Sequence, residues 1–165
     1  MAANNVTRLL DARKIPYTAF ELPAEKLGAI ETARRLGVPQ EIVFKTIVVK
    51  RDKPGKPLLV VIPGNHEVDL KALAAVLGEK KVHIPTQREA EALTGLQAGG
   101  ISPLALINKG FQVLLDQSAG RHEQIHISGG QRGLNIRLPV KALVELTHAR
   151  LASVSKPMEN PLDED

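Results

Sequence analysis

Residues 43–63 read VFKTIVVKRDKPGKPLLVVIP, two β-branched runs separated by a polar connector that carries Pro54-Gly55. Val and Ile crowd a helix but pack well on a pleated surface, and Pro-Gly is a turn pair. The stretch therefore predicts a hairpin that pairs 44–50 with 58–62. Neither run alternates cleanly between apolar and polar. Both are almost continuously apolar, which predicts strands buried on two faces inside a sheet.

The pattern extends outward in both directions. Upstream, VTRLLDARKI sets Val6, Leu9 and Leu10 at helical spacing with Asn5 as the expected N-cap, YTAFEL alternates like a strand, and GAIETARRLGV is an amphipathic helix stopped by Gly37 and Pro39. Downstream, EVDLKALAAVLG predicts a helix capped by Asp69 and ended by Gly78. KVHIP predicts a short strand, and TQREAEALTG a helix opened by the capping box Thr86/Glu89. FQVLLD, QIHIS and LNIRLP follow as strands, with 124–128 and 134–138 as a second hairpin. PVKALVELTHARL closes the pattern as a helix with Pro139 at its start.

Strands and helices in near-equal number, without regular βαβ alternation, predict an α+β (mixed α/β) fold. The expectation is a single domain with a central mixed, largely antiparallel β-sheet surrounded by helices. It covers residues 1–156, with 157–165 as a disordered acidic tail, because KPMENPLDED offers little apolar surface to offset ordering.

Composition narrows the chemistry. Aromatic residues are 2% of the chain, so the core must be aliphatic, and a base-stacking platform is disfavoured. The absence of cysteine excludes disulfides, thiolate nucleophiles and Cys-ligated zinc. The five histidines are scattered without a ligand-pair spacing, so no metal site is expected. No apolar leader or membrane-length stretch occurs, and the expected location is the cytoplasm. Net charge is +4 although Glu159, Asp163, Glu164 and Asp165 all fall near the C-terminus, so the body is more basic than the whole chain. A basic body suits a polyanionic partner such as RNA.

Two loops carry glycine pairs, AGGISP (Ala98–Pro103) and SGGQRG (Ser128–Gly133). Such pairs make ordinary tight turns, and they also expose backbone N–H groups that can cradle an oxygen-rich ligand. Lys45 shares a strand face with Ile47 and Val49, opposite Phe44 and Thr46. An ammonium there either snorkels to water at the strand entrance or opens onto a site with an anionic partner. Ser102 and Ser128 offer hydroxyls, but neither lies in a Gly-x-Ser-x-Gly elbow, and neither glycine loop matches a nucleotide-binding pattern. No carboxylate pair stands out. A cation, N–H donors and hydroxyls suit positioning an ester or phosphate and stabilising an oxyanion better than forming a covalent intermediate.

Taken together, VFKTIVV, LLVVIPGNHEVDLKALAAVLGEKKV, TGLQAGGISPLAL and IHISGGQRGLNIRL resemble the YbaK/EbsC family of trans-acting prolyl-tRNA editing proteins, which are similar to the insertion domain of bacterial prolyl-tRNA synthetase. The resemblance spans about Val6 to Leu151. It implies an aminoacyl-tRNA deacylase that hydrolyses mischarged tRNA(Pro), foremost Cys-tRNA(Pro), in trans and without cofactor. Lys45 would position the substrate near the terminal adenosine. Gly99, Gly100, Ile101, Ser102 and Pro103 would bound the aminoacyl pocket, with Ser128, Gly129 and Gly130 beside it. For the Cys-specific branch it implies that the substrate thiol attacks its own ester. The implied partners are the tRNA(Pro) acceptor end and prolyl-tRNA synthetase, with no membrane and no DNA. Two alternatives stay open: another specificity such as Ala-tRNA(Pro), and a non-catalytic tRNA- or synthetase-binding module of the same fold. The Leu22-Pro23-Ala24-Glu25 segment and Asn135 depart from the pattern of some members, and both bear on amino-acid specificity.

Overall fold

The computed structural model describes residues 4–159. Its strands are β1 (Thr18–Glu21), β2 (Phe44–Arg51), β3 (Leu58–Pro63), β4 (His66–Val68), β5 (Val82–His83), β6 (Gln112–Asp116), β7 (Gln124–Ser128), β8 (Leu134–Pro139), β9 (Arg150–Ala152) and β10 (Ser155–Pro157). Its helices are α1 (Asn5–Ala12), α2 (Ala29–Leu36), α3 (Leu70–Leu77), α4 (Gln87–Thr94) and α5 (Val140–Thr147), with short 3₁₀ turns at Gln40–Ile42 and Gln117–Arg121. None of these helices is long and apolar enough to cross a membrane.

The α+β class is as expected, and both hairpins form in the expected register range: Lys45 faces Ile62 across β2/β3, and Ile127 faces Ile136 across β7/β8. The strands divide, however, into a five-stranded mixed sheet of order β5-β2-β3-β6-β9, a three-stranded antiparallel sheet β1-β8-β7, and a small antiparallel pair β4-β10. β3 runs parallel to β6, and β6 parallel to β9. A single bridge from Val43 to His126 ties the entrance of β2 to the middle of β7.

β3 is buried along its whole length. Leu59 and Val61 point into the larger core, with Val6, Leu10, Ile125, Ile127, Ile136 and Leu138. Leu58, Val60 and Ile62 point into a second core under α3, with Leu73 and Val82. This is the continuous apolar run read from the sequence, each residue parity serving one layer. β7 and β8 instead keep Ile125, Ile127, Ile136 and Leu138 on the core face. His126, Ser128 and Asn135 fall on the other.

Two local expectations are corrected. The cap of α1 is Asn4, not Asn5: Asn4 is extended and accepts from the Thr7 N–H at 2.9 Å, while the Thr7 hydroxyl accepts from the Asn4 N–H at 2.9 Å. Asn5 is already helical. The proposed tail boundary falls inside β10, where Pro157 pairs with His66 and the Met158 N–H donates to Asn65 O at 3.1 Å. Strand pairing at β4 fixes this segment despite its poor apolar content; residues 160–165 lie outside the described residues.

Candidate active site

β2 pairs with β5 only at Lys50 and Arg51, and Val43 is bridged to β7. Between those points the outer edge of β2 has no strand partner among the described residues, and Val43–Val48 form the floor of a cleft of about 470 Å³. Its walls come from the strap after β1 (Leu22 and Glu25–Gly28), the start of α2, the β5–α4 connection at Ile84–Gln87, the first glycine loop and the β7–β8 turn. A second cleft of about 630 Å³ lies on the α3 side, and Lys45, Ile47 and Ile84 line both.

Lys45 is half-buried where the two clefts meet. Its Nζ donates to Gly64 O at 3.1 Å and lies 3.6 Å from Met158 Sδ. Gly64 is tightly seated: its N–H donates to Val43 O at 2.7 Å, and a Cβ there would come within 2.7 Å of Ala29 Cβ and 2.9 Å of Val43 O. In the sequence Gly64 is simply the residue that follows LLVVIP, with no local signal of this packing.

The two glycine loops meet each other. Arg132 Nε donates to Ala98 O at 2.6 Å, and a Cβ on Gly100 would sit 2.9 Å from the Gln131 backbone. Gly99 has φ +90° and Gly130 φ +93°, conformations that disfavour any side chain. Gly99, Ile101 and Ser128 line the cleft; Gly100, Ser102, Pro103, Gly129 and Gly130 stand behind it. The Gly100 N–H is used by Gln97 O at 2.8 Å and the Ala98 N–H by Glu91 Oε2 at 2.8 Å, while the N–H groups of Gly99 and Ile101 have no acceptor among the described residues. Ser102 is fully buried with its Oγ accepting from the Leu104 N–H, and Ser128 Oγ accepts from the Gly130 N–H. Among the described residues neither hydroxyl is hydrogen-bonded to a histidine.

The Ser128–Gly130 loop is fastened from a distance. Asn4 Nδ2 donates to Gly129 O at 2.8 Å and to Gln131 Oε1 at 3.1 Å, so the N-cap of α1 also holds this turn. The strap is pinned by the Leu22 N–H donating to Gly133 O at 2.9 Å, and Lys26 Nζ reaches Gln87 Oε1 at 2.9 Å across the cleft mouth. Asn135 lines the cleft from β8. Behind it the buried His126 Nδ1 lies 2.9 Å from Asn135 Oδ1, and the Phe20 ring packs on the imidazole with centroids 5.5 Å apart. Burial first, and the Arg137 charge, hold the His126 pKa below its ordinary value against the Asn135 hydrogen bond. Among the described residues no group of three or more His, Asp or Glu could hold a metal ion.

An edge-open strand, a lysine at its foot and two interlocked glycine turns form the frame that a family model described as an aminoacyl-tRNA editing domain matches over residues 24–146. The chain belongs to the aminoacyl-tRNA editing domain family. It is 37% identical over 153 residues, 92% of each chain, to the Enterococcus faecalis protein named "Putative Cys-tRNA(Pro)/Cys-tRNA(Cys) deacylase EbsC". It is 26% identical over 121 residues to proline–tRNA ligase of Staphylococcus aureus, a match covering 73% of this chain and 20% of the ligase. A solved structure described as "a putative trans-editing enzyme for prolyl tRNA synthetase" shares the fold, with a TM-score of 0.77 and 24% identity over 94% of this chain and 99% of that one. The family read from the sequence is thus the family found, and an editing domain of this kind is an aminoacyl-tRNA hydrolase.

Proposed function

We propose that this editing domain removes a wrong amino acid, cysteine first among them, from tRNA(Pro) in trans, acting in the cytoplasm on the acceptor end that prolyl-tRNA synthetase charges. The observation that carries the reading is the chemistry of the cleft. It offers an ammonium at Lys45, N–H donors at Gly99 and Ile101 and the Asn135 amide, and no activated nucleophile among the described residues. Donors of this kind orient an ester and stabilise negative charge as it develops on the carbonyl oxygen. With no nucleophile supplied by the protein, the substrate's own side chain is the attacking group in this reading. A cysteinyl ester carries one: its sulfur bonds to the carbonyl carbon, the bond to the ribose oxygen breaks, and that oxygen takes up the thiol proton. Water then opens the cyclic thioester and releases cysteine. The likeness to the E. faecalis protein over nearly the full length of both chains supports the same assignment.

The test is incubation with labelled Cys-tRNA(Pro), Ala-tRNA(Pro) and Pro-tRNA(Pro). Rapid loss of cysteine, with alanine and proline retained, is the expected result. Loss of alanine at an equal rate would show that the thiol plays no part, and binding without hydrolysis would make the domain a tRNA-binding module.

A further inference from the structure

His126 and Asn135 are buried polar residues on the face of β7 and β8 that looks away from the larger core. Ser128 and Phe20 are the cross-strand partners of Asn135. Burial opposes charging of the imidazole and so favours its neutral form, which carries one N–H. Its Nε2 is buried with no partner among the described residues, whereas its Nδ1 faces Asn135 Oδ1 at 2.9 Å. A proton on Nε2 would be a buried donor without an acceptor, and two acceptors would face each other at Nδ1. A proton on Nδ1 leaves only a bare lone pair at Nε2, the cheaper defect. The Nδ1–H therefore donates to Asn135 Oδ1, and the carboxamide is held in one of its two orientations. Asn135 lines the cleft, and with Oδ1 engaged behind, the end left to face the cleft is Nδ2.

We infer that His126 is a positioning residue that acts through Asn135, locking the amide so that its N–H donors face the cleft and hold an acceptor atom of the aminoacyl ester. The donor end of an amide repels the α-ammonium and attracts the carbonyl or ribose oxygens, so the lock reads which side of the amino acid turns toward β8. It also joins the site to the frame, since His126 is the residue whose backbone bridges to Val43 at the foot of β2. The inference rests on the editing reading and adds one residue to it, His126.

The test combines a spectrum and a cycle. In the unmodified protein, ¹⁵N spectra of the His126 ring should show the neutral Nδ1–H form. An Nε2–H ring would overturn the inference whatever the kinetics. His126→Phe keeps a ring against Phe20 and removes the donor; kcat on Cys-tRNA(Pro) should fall about 10- to 100-fold, as for a misplaced orienting group, with KM moving less. In an Asn135→Leu background the same substitution should change kcat less than about twofold, because nothing is left to orient. His126→Gln, which restores a donor, should recover part of the rate. An undiminished effect of His126→Phe in the Asn135→Leu background would show that His126 acts elsewhere. If the variants do not fold, the ring spectrum decides alone. No hydrolysis of any aminoacyl-tRNA by the unmodified protein would sink the editing reading itself. That failure is told apart from failure of the lock because the spectrum reads the pair without substrate.

Discussion

The ammonium of Lys45 donates to the carbonyl oxygen of Gly64 at 3.1 Å, which sets a cation from β2 against the end of the neighbouring strand and at the meeting point of two clefts. Lys45→Ala should leave the fold intact and lower deacylation on the order of 10²-fold, the scale for losing an orienting or charge-stabilising group. Lys45→Arg should be nearly as poor, since a planar fork does not replace a point charge. Wild-type rates for both variants in a single-turnover assay would assign the lysine to the solvated strand end.

Gly64→Ala tests the seat of that lysine. The added methyl would meet Ala29 Cβ at 2.7 Å and Val43 O at 2.9 Å. Because one of the two obstacles is backbone, the loss of stability should be about 1–3 kcal/mol. Activity should fall further than stability alone explains, as the carbonyl under Lys45 shifts. Thermal melts and rates on the same preparation separate the two effects, and Ala29→Gly should relieve only the side-chain part.

Gly100→Val should fail by a different route from the one the loop sequence suggests. The Gly100 N–H is spent on Gln97 O, and the residue is packed against the backbone of Gln131 and Arg132 rather than aimed at the cleft. The variant should therefore lose both melting temperature and activity as the two loops part. A stable variant with abolished activity would return Gly100 to a direct role.

Asp116 gives the fold an acid limit. Burial would raise its pKa, but the Ser118 hydroxyl, the N–H groups of Val154 and Ser118, and Ser155 outweigh that and hold it below the usual carboxylate value. A depressed folded pKa adds stability that is present above the ordinary value near 3.8 and is lost as pH falls through the lower folded one. Melting temperature should thus drop across that acid window, and Asp116→Asn should lower it at neutral pH and flatten its pH dependence. An unchanged profile in Asp116→Asn would show that other carboxylates set the limit.

Binding of tRNA to this basic body should weaken as salt rises, with log K falling against log salt through counterion release. Filter binding between low and physiological salt measures the slope. A flat response would mean that the contact is not carried by phosphates.

Much of this architecture can be read in the chain. The β2–β3 hairpin follows from Pro54-Gly55 between two β-branched runs, and α3 and α4 begin and end at the residues whose side chains cap them, Asp69 and Thr86, with αL glycines at Gly78 and Gly95. What is hidden is short or non-local. β4, β9 and β10 are three residues each, too short to show a period, and the Asp69 cap draws the eye past Glu67 into the helix. The parallel neighbours of β6 are chosen by packing between distant segments, which no local pattern encodes. Lys45 and the loops were legible as candidates because a charge in an apolar run and paired glycines are anomalies. His126 was not, because an alternating QIHIS shows which face it shares with Ser128 but not that Asn135 waits across the hairpin.

The unpartnered edge of β2 also bears on how the protein keeps to itself. A bare strand edge is a template on which another chain can add a strand, the first step of edge-to-edge aggregation. Here the bare run is Phe44–Val48, and it lies at the bottom of a trench walled by the Glu25–Gly28 strap and by Ile84–Gln87. A foreign strand would bring its own sheet behind it and would strike those walls before its amides came into register. Shortening the strap would remove the guard, and the same opening that admits a slender ester end would then admit the edge of a second copy.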